Sequence, residues 1–152
     1  MIRLYLVTVS VMGALALCGA ACDTGETITD GTGSLGRVHG CNLLLEAGPE
    51  VGALAERFAE VTGHSLDRVR GVLAERDAYC GPKEEQDRWC FDRHRADGDS
   101  IACSTYRIDT GPRAWIDEAH ESADLLVHED THLLAWVLDR DPDYDHERDD
   151  IW

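Results

Sequence analysis

Basic residues are scarce in this chain. Its 152 residues include 14 Lys and Arg against 30 Asp and Glu, a formal net charge of −16. That balance excludes a nucleic-acid partner, because binding phosphates needs a basic surface. No internal repeat is visible, which excludes a solenoid. Long apolar runs are also missing. Leu4 to Leu17, broken by Thr8, Ser10 and Gly13, is barely long enough to span a bilayer. The cysteines Cys18, Cys22, Cys41, Cys80, Cys90 and Cys103 show no C-x-x-C spacing, which argues against a zinc knuckle.

What is present begins with an export pattern. Met1-Ile2-Arg3 is a short basic start, the apolar run follows, and Gly19-Ala20-Ala21-Cys22 supplies small residues at a cleavage point. Residues 1–21 therefore read as a signal peptide. The stretch before Cys22 resembles a bacterial lipobox, with Gly19 standing where Leu is usual. The resemblance implies lipidation of Cys22 and a membrane contact made through that anchor alone. Ordinary cleavage after Ala21 is the competing reading. Asp23 to Gly36 is rich in Gly, Thr, Ser and Asp, so residues 22–36 read as a flexible tether.

Residues 37–152, within a chain 43% hydrophobic, are expected to form one α+β domain. Val38 to Leu45 reads as a first strand. Pro49 opens and Gly63 closes a helix on which Val51, Leu54, Ala55, Phe58 and Val61 recur at helical spacing. Leu66 to Leu73 fits either a helix or, through Val69, Gly71 and Leu73, a strand; the strand is preferred. Asp77 to Asp99 reads as a long charged loop, Ser100 to Ile108 as a strand, and Gly111-Pro112 as a turn. An exported chain oxidises its thiols, so Cys41, Cys80, Cys90 and Cys103 are disulfide candidates. Four cysteines allow three pairings, of which Cys41 with Cys80 and Cys90 with Cys103 is preferred.

The chemistry concentrates in Leu125-Leu126-Val127-His128-Glu129-Asp130-Thr131-His132-Leu133-Leu134-Ala135-Trp136. On a helix, positions i and i+4 share one face, so His128 and His132 can reach one metal ion. Glu129 follows the first ligand and can take a proton from water there. The apolar flanks bury this helix, with Ser122 as its expected N-cap, and a buried His-Glu-His cluster needs partners. The expected fold is thus a small antiparallel sheet packed on this helix and stapled by disulfides.

Catalytic zinc usually takes three protein ligands. The acidic tail after the helix offers one imidazole, His146, and Pro142 helps turn the chain back toward it. Asp143 and Asp145 are the next candidates, and Asp145 could instead orient His146. His120, two turns before His128, could line the cleft mouth. Tyr144, His120 and Arg113 are all open as the group that stabilises an oxyanion.

The stretch His128-Glu129-x-x-His132, then Trp136, an Asp-Pro-Asp turn and His146 resembles the zincin metallopeptidases in a minimal SprT-like arrangement. It is also similar to small bacterial lipoproteins with a C-terminal HExxH. The resemblance covers roughly the last thirty residues. It implies that His146 is the third zinc ligand. Glu147 stands where a Gly usually follows that His, and Ala135 and Leu138 stand where the metzincin continuation has Gly and His. The expected function is a zinc-dependent peptidase acting on a peptide or protein substrate, exported and anchored at the outer face of a bacterial membrane. The alternative is a non-catalytic lipoprotein binding zinc or calcium. For calcium, Asp139, Asp141, Asp143, Asp145, Glu147 and Asp150 fall at EF-hand positions, but Tyr144 stands where that loop needs Gly.

Overall fold

The structure is a computed structural model, and it describes residues 25–94, 100–143 and 146–152. The leader, Cys22, Tyr144 and Asp145 lie outside the described residues. Five strands form one sheet in the order β1-β2-β3-β5-β4: Glu26–Thr29, Ser34–His39, Asp77–Gly81, Ala102–Arg107 and Gly111–Asp117 for β1 to β5. The helices are α1 (Gly48–Thr62), α2 (Leu66–Ala74), α3 (Lys83–His94) and α4 (Ala123–Leu134). Among the described residues no helix is long and apolar enough to cross a membrane.

The domain is α+β, but the sheet is mixed rather than antiparallel. β1 with β2 and β4 with β5 pair antiparallel, whereas β3 lies parallel to both β2 and β5. Two neighbouring parallel strands need a long crossover, and α1 with α2 supply it between β2 and β3. Val38, Ala78, Ala114 and Ile116 point to one face and are buried against α1, α2 and α4. The alternate residues Tyr79 and Trp115 point to the other face, where Trp89 of α3 stacks on Trp115 at 4.9 Å.

Several expectations change. The tether's second half is part of the fold: β1 and the start of β2 lie within residues 26–36, and Ile28 and Leu35 are fully buried. Gly and Thr there serve a tight antiparallel pair, not a loose chain. The first strand ends at His39, and Leu44–Glu46 is a single 3₁₀ turn. Leu66–Ala74 is helical because Ser65 caps it, its hydroxyl accepting from Arg68 N, and because Val69 and Leu73 share its buried face. The charged loop over 77–99 contains β3 and α3. Pro82 precedes the helix, Glu84 and Glu85 sit in its first turn, and Gln86 and Cys90 are its buried pair. Gly111-Pro112 begins β5.

Cys41 meets Cys80 and Cys90 meets Cys103 at disulfide distance, with S–S separations of 2.11 and 2.00 Å. The first joins the segment after β2 to β3, and the second ties α3 to the edge strand β4.

Beneath α4 lies a fully buried ion pair, Arg76 Nε to Asp130 Oδ1 at 2.9 Å. The two atoms face each other off hydrogen-bond angle, and Arg76 spends its other nitrogens on the carbonyls of Leu35 and Arg37. Removing one partner of such a pair strands a charge in the core. Asp130→Ala is therefore expected to destabilise the fold by about 3–5 kcal/mol, measured by urea denaturation. A loss below about 1 kcal/mol would show that Arg76 does not depend on it.

Candidate metal centre

Helix α4 positions the site. Ser122 caps it, accepting from Leu125 N, so the first turn is fixed just where the sequence places it. His128 and His132 follow at i and i+4 and bring their Nε2 atoms within 3.3 Å. The last turn widens into a π turn over Ala135–Asp139 and ends at Arg140, which takes left-handed backbone at φ 65°. From there the tail doubles back. His146, itself left-handed at φ 54°, places Nε2 at 3.2 Å from His132 Nε2.

These spacings carry chemical information. Ligand nitrogens at about 2.0–2.1 Å from a tetrahedral zinc stand about 3.3–3.4 Å apart. The ligand atoms of His128, His132 and His146 all lie within 4.8 Å of one another and could hold a metal ion. The orientation of His132 is fixed from behind: its Nδ1 donates to the Pro142 carbonyl at 2.7 Å, which directs the Nε2 lone pair toward the other two imidazoles. Burial holds His132 down to about 4, and burial followed by the charge of His146 holds His128 below its ordinary value. Both imidazoles are thereby kept in the neutral, ligating form.

The tail is organised by Asp143 rather than liganded through it. Its carboxylate accepts from Glu147 N, Arg148 N and Trp152 Nε1, at 2.9, 3.1 and 2.6 Å. Those bonds hold it below the usual carboxylate range against the opposing cost of its own burial. Trp152, pinned this way, packs its ring 4.4–5.0 Å from all three imidazoles. Asp139 is likewise engaged, by His64 Nε2 at 2.6 Å and Arg148 at 2.6 Å. Among the described carboxylates at the EF-hand positions, Asp139 and Asp150 both pair with Arg148, and no group of them converges as a set of metal ligands.

Glu129 points a different way, toward β4. It is 5% exposed, and burial pushes its carboxyl up to about 8, with the Asp130 charge adding and the nearby Ser104 hydroxyl opposing. Ser104 Oγ itself makes no hydrogen bond of standard geometry. Glu129 and His128 line an open cleft of about 680 Å³ between the start of β4 and the first half of α4. His120 closes its mouth, with Nδ1 at 2.9 Å from Asp117 Oδ2. Arg113 lies on the opposite sheet face, 6.0 Å from the Tyr79 ring centre and 5.9 Å from that of Trp89, away from the cleft. His39 pairs with Asp77 and His64 with Asp139, so neither joins the centre.

Sequence reasoning missed the supporting groups: the Pro142 carbonyl, Ser104, Asp117 and Trp152. Asp117 had a local signal, since Asp-x-x-His in a short turn can form such a pair; Ser104 had none. Comparison with protein-family models, curated proteins and solved structures finds no match to the chain.

Two outcomes follow from these contacts. Asp143→Ala removes three acceptor bonds from the segment that presents His146, and affinity for any metal ion held by the three imidazoles is expected to fall about 10–100-fold in competition titration; unchanged affinity would show the tail holds without it. The second concerns pH. A carboxyl raised by folding contributes stability that is present below its unfolded value and is lost as pH rises through its folded value. The depressed histidines act oppositely, but only up to their ordinary value of 6.5. From there to about 8, Glu129 dominates, so the metal-free protein is expected to lose stability as pH rises across that window. Glu129→Gln should flatten the slope in denaturant titrations at successive pH values.

Proposed function

We propose that the chain is a zinc-dependent peptidase, exported and held at the outer face of a membrane by a lipid on Cys22. The observation that carries the reading is the convergence of His128, His132 and His146 at the spacing of a tetrahedral zinc site. Three imidazoles brought to one point suit zinc, whereas calcium takes oxygen ligands.

Bound there, zinc would polarise a carbonyl and make water acidic near neutral pH. Glu129, which lines the same cleft as His128, would as the carboxylate take the proton from the attacking water and deliver it to the departing amine. Of the three oxyanion candidates, His120 is the one that lines the cleft with described geometry. Asp117 accepts from its Nδ1, so its Nε2 can donate toward the carbonyl oxygen only in the doubly protonated imidazolium form. The edge strand β4 borders the same cleft, so an extended peptide can lie along it. A metal-storage role is the second reading, but storage gives no use to a buried carboxylate beside the ligands.

Metal analysis of the purified full chain is expected to give one zinc per molecule. Glu129→Gln should keep that zinc and abolish hydrolysis of a denatured protein substrate, because it removes the base and spares the ligands. His146→Ala should lose zinc. Unchanged hydrolysis in Glu129→Gln defeats the mechanism, and zinc held equally well by His146→Ala defeats the ligand assignment. Mass spectrometry should find the mature chain beginning at a lipid-modified Cys22; an unmodified start elsewhere removes the anchor.

A further inference from the structure

Asp124 lies one turn before His128, and the two belong with His132 to a single stripe at i, i+4 and i+8 of α4. Its carboxylate lines the same cleft as His128 and Glu129 and is exposed there. Four residues of helix rise put it about 6 Å along the axis from the first ligand, within reach of a side chain adjacent to a bond lying over the metal centre. Among the described residues no Lys or Arg lines the cleft, and Asp124 makes no ion pair. Arg57 shares a shallow groove with Asp124 on its far side, but its guanidinium is turned to the Ile151 carbonyl at 2.9 Å. The cleft's apolar wall is Ile101 and Leu125, on either side of the same opening.

From this juxtaposition we infer that the cleft selects peptides with a basic side chain beside the cleaved bond, its cation meeting Asp124 and an apolar neighbour resting between Ile101 and Leu125. The inference rests on the peptidase reading and names its substrate class. A first-turn Asp also complements the helix dipole wherever it points, so exposure at the helix start is not what carries the argument. The position on the ligand stripe, inside a cleft that also holds the buried Glu129 carboxylate and, among the described residues, no Lys or Arg, is. The net charge of −16 adds a long-range pull on cationic substrates that acts on their arrival but does not fix their register.

The test uses the full chain, zinc-loaded, as Glu129→Gln, with three fluorescent peptides identical except for Lys, Gln or Glu at one position flanked by Leu. Anisotropy at low salt is expected to rank them Lys, Gln, Glu, with about a two- to fivefold gap between Lys and Gln, the size of one exposed ion pair. The gap should shrink in high salt and vanish when Asp124→Asn is added. It should persist with Glu60→Gln, which removes an equal charge from the exposed face of α1. Equal binding of Lys and Gln peptides, a gap that survives Asp124→Asn, or failure of all three to bind overturns the inference. Hydrolysis by the wild-type protein is scored separately. Zinc-dependent cleavage without Lys preference sinks the substrate class alone; Lys preference without cleavage sinks the peptidase reading and leaves the cleft's selectivity standing.

Discussion

A buried helix that carries His128, Glu129, Asp130 and His132 must find a partner for every one of them, and that demand shapes the molecule. Successive helical residues point about 100° apart, so one element cannot serve all four. Asp130 turns under the helix to Arg76, which is itself braced on the β2 carbonyls. Glu129 turns to Ser104 on β4 and the cleft. The two histidines turn outward, where the tail returns to meet them with the Pro142 carbonyl and His146. An unmet charge at this depth costs several kcal/mol. Sheet, α2 and tail can therefore be read as three answers to the same requirement.

The helix and its ligand geometry were legible because their information is local. The i, i+4 spacing, the Ser122 cap and the apolar flanks all lie within fifteen residues of one another, and each acts through backbone periodicity. His146 was legible for a different reason, the resemblance and the shortage of other imidazoles in the tail, and the structure places it against His132 with no local pattern that requires it. What stayed hidden was non-local. That β3 runs parallel to β2 depends on a crossover of two helices, and one of them, α2, reads equally well as a strand until the Ser65 cap is weighed. Helix α3 is masked by its charge: among its described side chains Gln86 and Cys90 mark a buried side, and the helix is tied to β4 through Cys90 and Cys103. A composition-based tether fails at Ile28 and Leu35, because two well-placed apolar residues are enough to anchor a short hairpin against the core.

The tail shows how an imidazole can be brought to a helix face through residues in left-handed backbone. Arg140, Asp143 and His146 all adopt left-handed backbone, at φ of 65°, 49° and 54°. Each such residue costs roughly 1–2 kcal/mol in an L-chain, less for Asp and His, whose short polar side chains tolerate it best. The cost is offset locally. Asp143 accepts three hydrogen bonds, Ile151 is fully buried, and Arg148 ties the segment back to Asp139 at the end of the π turn. Trp152 then closes the arrangement, since the donor that satisfies Asp143 is also the ring that packs on all three imidazoles.

That double use of Trp152 couples Asp143 to the three imidazoles. The orientation of His146 depends on Asp143, Asp143 depends on the Trp152 indole, and the indole leans on the rings it helps to align. Closing the loop between His132 and His146 carries an entropy cost that grows only slowly with length, so fourteen positions are affordable if the ends are held. Here one end is held by helix hydrogen bonds and the other by a carboxylate that accepts three hydrogen bonds. A cation shared by the imidazoles would tighten every member of this ring of contacts at once, and the cleft beside Glu129, which belongs to α4 and β4 and not to the tail, would keep its shape while that happened.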